Sequence, residues 1–220
     1  MDEEAWLTAT DPTPMLAFLR NSGRAGERKL RLFAVACCRR IDDILTDRGR
    51  EAVNAAERFA DSLIDRHALH AAWAAVGFPK RDYRRLASSA ARAASCSPGY
   101  DGTANAAASA IQAVVLNSQP AEVDASRLAE RAAQAALLRD IFGNPFATTR
   151  IDASVLRWND GCVVRIAEGI YQERAFDRMG VLHDALLDAG CDSDDILSHC
   201  REQGDHVRGY FVLDLLLGKG

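Results

Sequence analysis

The 220-residue sequence lacks any uninterrupted apolar run of the roughly 20 residues that a membrane-spanning helix requires. Alternation of apolar and polar residues, the mark of half-buried strands, is almost absent. The six cysteines include no CxxC pair, which removes the commonest zinc and dithiol signatures. There is no GxSxG elbow, no HExxH pair, no Walker-type phosphate loop and no GxGxxG. An excess of positive charge is also missing: 27 Lys and Arg face 31 Asp and Glu. A net charge of −4 is not the footprint of a dedicated nucleic-acid binder. The opening "MDEEAWLTATDPTP" is acidic and has no apolar core, so no signal peptide is expected. A cytoplasmic protein with reduced thiols follows as the expectation, most of those thiols acting as small buried hydrophobes.

What the sequence does contain is helical pattern. A chain of this length can bury about 70% of its unfolded surface, so stability requires neither metal nor disulfide. Thr13-Pro14 reads as a helix start and Asn21-Ser22-Gly23 as its stop. "ERKLRLFAVACCRRIDDIL" places Leu30, Phe33, Cys37, Ile41, Ile44 and Leu45 at helical spacing. Leu32, Val35 and Cys38 add a second strip, so this helix should be central and wrapped on most sides. Asp47 reads as the cap of the next helix. Residues 86–115 are alanine-rich, and alanine favours helix while burying little area, so these helices should approach closely. A further alanine-rich helix over about 126–142 ends at Gly143, a plausible C-cap.

The expected fold is therefore all-α: a compact bundle of about eight to ten helices with an alanine-rich middle and a short C-terminal helix pair, over 194 to about 202 and about 206–217. Residues 1–143 form the N-terminal and alanine-rich region, 144–157 an irregular connector, and 158–220 a C-terminal helical region, within one continuous globular unit.

The strings "RKLRLFAVACCRRI", "LLRDIFGNPF", "WNDG", "IYQERAFDRM", "DALLDAGC", "ILSHCR" and "HVRGYFVLDLLLGK" occur in that order. In this the chain resembles an uncharacterised bacterial family whose members often stand beside other modules. Tyr210-Phe211 replaces the Cys-Trp of that pattern, so no cysteine ligand is available there. The resemblance implies one architecture and supplies no mechanism.

The densest chemistry lies in "CDSDDILSHCREQGDHVRG", residues 191–209. Cys191, His199, Cys200 and His206 could make a Cys2His2 zinc set in composition, but helical spacing puts Cys191 and His199 roughly 12 Å apart along the axis. Asp192, Asp194 and Asp195 lack the glycine and distal glutamate of a calcium loop, and suit a helix N-terminus without any metal. No metal and no cofactor is expected. The histidines read as core-edge residues, His199 beside Ile196 and Cys200, and His206 beside Tyr210 and Leu213. If a polar pocket exists, its expected residues are His199, Cys200, Arg201, His206 and Arg208, with Asp160 and Glu173 joining from "WNDGCVVRIAEGIYQERAFDR". In that stretch Asn159 or Asp160 reads as a helix cap, with Trp158 stapling onto the helix.

Three functions follow in order. The first is a non-catalytic helical module for protein interaction or regulation, with a protein partner. The second is a small enzyme or metal-assisted hydrolase with its site in the C-terminal third. The third is phosphate or nucleic-acid contact through the basic segments 24–40 and 80–85, which the acidic whole disfavours.

Overall fold

The computed structural model describes residues 1–77, 83–96, 100–201 and 206–219, all of them helical or connecting. Twelve α-helices and two short 3-10 turns stand among these residues, somewhat more than the eight to ten expected. The additions are α1 (Glu3–Thr8) and α5 (Arg66–Ala75). Both are short, and each is started by an aspartate whose carboxylate accepts a first-turn N–H: Asp2 from Ala5 at 2.9 Å and Asp65 from Ala68 at 2.8 Å. The chain divides into two compact units, Met1–Leu138 and Arg139–Gly220.

In the first unit, α2 (Pro12–Ser22) is capped by Asp11, which accepts from Thr13 N at 3.0 Å, with Pro12 at the first helical position. The start therefore lies two residues before Thr13-Pro14, because Asp11-Pro12 offers the same cap-then-proline grammar. Gly23 ends the helix in the left-handed conformation (φ 64°), as expected. Thr46, not Asp47, caps α4 (Asp47–Ala60): its hydroxyl accepts from Gly49 N at 3.1 Å. Between them, α3 (Glu27–Arg39) buries nine consecutive residues, Leu30 to Cys38. A helix buried on every side must be surrounded, and α4, α6 (Tyr83–Cys96) and α7 (Tyr100–Asn117) do this. Helices α6 and α7 pack on each other, and they bury Ala87, Ala90, Ala91 and Ala94 on one and Ala106, Ala107, Ala110 and Ala113 on the other, none more than 3% exposed. Small side chains allow the close backbone approach that the composition suggested. Two 3-10 residues beyond Pro120 then lead into α8 (Val123–Phe142).

Cations of the basic segment face acids inside this unit. Arg28 meets Asp61 at 3.1 Å, Arg39 meets Glu57 at 3.5 Å, and Arg40 meets the buried Glu130 at 3.0 Å. Gln134 donates to Glu130 at 3.0 Å and to the Ala107 carbonyl at 3.1 Å, completing a buried polar network. Lys80 and Arg81 lie outside the described residues.

The second unit begins with the last turn of α8, ended by Gly143 at φ 63°. No helix forms over 144–152; Asp152 then accepts from Ser154 N at 2.7 Å and starts α9 (Ala153–Glu173). This helix breaks at 158–161. Trp158 is extended, and Asn159, Asp160 and Gly161 are left-handed in succession (φ 46°, 54° and 74°). "WNDG" is thus an interruption between two helical pieces and not an N-cap. Asn and Asp are the residues, after glycine, that tolerate this conformation. Arg165 closes the break by donating to the carbonyls of Asp160 and Asn159. A 3-10 turn (Phe176–Arg178), α10 (Met179–Asp188), α11 (Asp194–Arg201) and α12 (Phe211–Leu217) complete the unit. Helix α12 starts at Phe211 and not near His206, because Gly209 adopts φ 88° and stops any helix running through it. The core consists of Val163, Ala167 and Ile170 of α9, Leu182 and Leu186 of α10, Ile196 of α11, and Tyr210, Val212 and Leu213.

Candidate functional site

The polar centre of the second unit is Asp140, in the last turn of α8. Its carboxylate bonds His206 Nδ1 at 2.8 Å and accepts from Val207 N at 3.3 Å. His199 Nε2 stands 4.0 Å from the same oxygen that His206 binds. Burial raises the Asp140 carboxyl above its ordinary value, while the hydrogen bond and charge of His206, then His199, then the Val207 N–H pull the other way. The rings stack onward: His206 meets Tyr210 edge-on at 4.8 Å, and His199 lies 5.4 Å from Tyr210 and 4.7 Å from Phe211. One buried carboxylate thereby ties the end of α8 to α11 and to the turn before α12.

Of the seven residues expected in a polar pocket, His199, Cys200 and His206 come together around Asp140 and Tyr210. Cys200 is buried, and burial pushes its thiol up to about 12, with the neighbouring Tyr210 hydroxyl pulling weakly the other way. Burial thus favours the neutral thiol over the nucleophilic thiolate at this position. Arg208 turns elsewhere, stacking over the Tyr171 ring at 5.2 Å and donating to the Gln172 carbonyl at 3.2 Å. Glu173 pairs with Arg178 at 3.0 Å with both side chains more than half exposed, and Asp160 is exposed in the α9 break. Neither acid reaches the histidines' cluster.

A cavity of about 920 Å³ opens beside this cluster, between α10 and α11. Its α10 side is Met179, Gly180, His183 and Leu187, successive positions on one helical face; Phe176 extends it from the 3-10 turn. Cys200, Arg201 and His206 line the other side, so three of the expected residues do share a cavity. His183 is bonded to Asp184 through Nδ1 at 3.0 Å. Leu187 is 48% exposed and Val181 on the same helix 57%. A side chain built at Gly180 would meet nothing within 4 Å, so the groove comes down to backbone there. Among the described residues, no group of three or more His, Cys, Asp or Glu side chains is placed to hold a metal ion, and no helix is long and apolar enough to cross a membrane.

Asp140, absent from the expected set, is the centre of the observed one. It lies 66 residues before His206, but it left a signal: a carboxylate in the last turn of a helix faces the negative end of the dipole, an unfavourable place unless a partner compensates. No protein-family model, curated protein or solved structure matches this chain, so the resemblance to a bacterial family rests on the quoted strings.

Proposed function

We propose that this protein is a non-catalytic interaction module that takes a peptide or helix of a partner protein in the α10–α11 groove. The observation that carries this reading is the groove itself: about 920 Å³, with an apolar strip of Phe176, Met179 and Leu187 and bare backbone at Gly180. An amphipathic segment laid into such a groove inserts side chains at i, i+3 and i+4, and a glycine on the floor lets its backbone come close. Arg201, Asp177 and Asp184 at the edge supply charge that would set orientation rather than affinity. Three cations of the segment 24–40, Arg28, Arg39 and Arg40, are directed at internal acids, which weakens the nucleic-acid reading.

Because a Cβ at Gly180 meets only open space, Gly180→Trp places its ring over the groove. Selection of a random peptide library on the full chain should enrich apolar, helix-forming sequences that lose binding to Gly180→Trp by at least tenfold. Far-ultraviolet circular dichroism should show both proteins equally folded. Enriched peptides that bind Gly180→Trp as well as the parent would refute the groove as the site.

A second reading is favoured by one specific feature. A histidine whose Nδ1 is held by a buried carboxylate while its ring lines a cavity is the base–carboxylate half of a hydrolytic triad. The nearest thiol, Cys200, is held protonated, so such an enzyme would have to activate water. A hydrolytic activity abolished by His206→Gln, with the fold retained, would replace the binding reading.

A further inference from the structure

A smaller cavity of about 130 Å³ lies in the first unit, remote in sequence from everything above. Its walls are Phe59 of α4 and Leu69 and Trp73 of α5, with Ser95 of α6 closing one side. Arg31 of the central helix enters the wall almost fully buried, its guanidinium 5.0 Å from the centre of the Phe59 ring and donating to the Ala94 carbonyl at 3.0 Å. The exposed lining residues Arg66 and His70 mark the solvent side. Trp73 is fixed in place: Arg92 lies 4.2 Å from its ring and donates to the carbonyls of Trp73 and Val76.

These features define a ligand. The volume is close to the roughly 150 Å³ of an engineered apolar cavity that admits benzene, a size that suits one six-membered ring. The described lining residues include two arginines and no carboxylate. Aromatic walls often receive cations, but here guanidinium groups already stand over both rings, so a second cation would meet repulsion from Arg31 and Arg92. We infer that this cavity is a binding site for a monocyclic aromatic carboxylate, the ring packed among Phe59, Leu69 and Trp73 and the carboxylate turned toward Arg66 at the mouth. That orientation leaves the carboxylate partly hydrated, beside the exposed guanidinium of Arg66.

Benzoate is the probe, titrated into the full chain by calorimetry and by NMR of the tryptophan indole N–H signals. Saturable binding with Kd on the order of 1 mM or below is expected for a ligand of this size. It should shift the Trp73 indole, assigned by Trp73→Phe, and leave those of Trp6 and Trp158 in place. Benzylamine, the same ring with the opposite charge, should bind at least tenfold more weakly. Arg66→Glu should weaken benzoate at least tenfold without unfolding α5, since an acid in a first turn suits the helix dipole. Ser95→Leu, which fills the cavity from α6, should abolish binding while Arg66→Glu guards against misreading a folding defect. Absence of saturable benzoate binding, equal affinity for benzylamine, or an Arg66→Glu effect within twofold each overturns the assignment.

Discussion

Replacing His206 with alanine removes the side chain bonded at 2.8 Å to the buried Asp140 carboxylate. What remains for Asp140 is the longer bond from Val207 N and the more distant His199. Leaving a buried acceptor short of its partner costs about 1–3 kcal/mol, and the lost edge-on contact with Tyr210 adds about 0.5–1 kcal/mol. A total loss of about 1.5–4 kcal/mol at neutral pH is expected from denaturant unfolding. Its pH dependence has a definite sign. Burial raises the Asp140 carboxyl in the folded chain above 3.8, so folding takes up protons between the unfolded and folded values. This group's contribution to stability therefore declines as pH rises through that interval. Without His206 the carboxyl rises further and the interval widens, so the penalty of His206→Ala should grow from about pH 4 toward neutrality. In Asp140→Asn, which cannot ionise, the same histidine substitution should cost about 1 kcal/mol less and show a flatter profile. A penalty below about 0.5 kcal/mol, or one equal at acid and neutral pH in both backgrounds, would refute the carboxylate-clamp account.

Gly143→Ala should destabilise the chain by about 2 kcal/mol or more, because φ 63° strains any side chain and the new Cβ would sit 3.0 Å from the Phe211 ring; chemical denaturation measures this directly. Gly180→Ala, in a helix with open space above it, should instead add about 0.5–1 kcal/mol in the same assay. Glu130→Ala removes the buried carboxylate that Arg40 and the amide of Gln134 share and should cost about 3 kcal/mol. Among the described cysteines, iodoacetamide at mildly alkaline pH should label the half-buried Cys162 before Cys37, Cys38 or Cys200, whose thiols burial holds protonated; mass mapping that finds Cys200 labelled first would contradict its packing.

Periodicity was enough to read α3 as the surrounded helix, because apolar residues on two strips leave no face for water. Gly23 and Gly143 announced their helix ends, since only glycine enters the left-handed region without strain. The starts were less legible: Asp11-Pro12 and Thr13-Pro14 obey one grammar, and nothing local chooses between them. Helices α1 and α5 are too short for a clear period and owe their existence to caps and to packing. The break in α9 shows the opposite limit, for "WNDG" has the composition of a cap, and three consecutive left-handed residues cannot be told from one in sequence. At the site, His199, Cys200 and His206 are near one another because they are near in the chain. Asp140 arrives from 66 residues away, and Asp160 and Glu173, selected for charge and proximity in sequence, point to solvent.

The alanine contact between α6 and α7 has a thermodynamic consequence. Methyl groups bring two backbones together while hiding little hydrocarbon, so this pair adds dispersion contact without a large change in hydration. The heat capacity released when such a pair comes apart is correspondingly small, and the stability of the first unit should curve less with temperature than that of a leucine-filled bundle of equal length. Such burial also limits substitution: Ala90 and Ala110 are fully buried, so a larger side chain at either has to displace its neighbours.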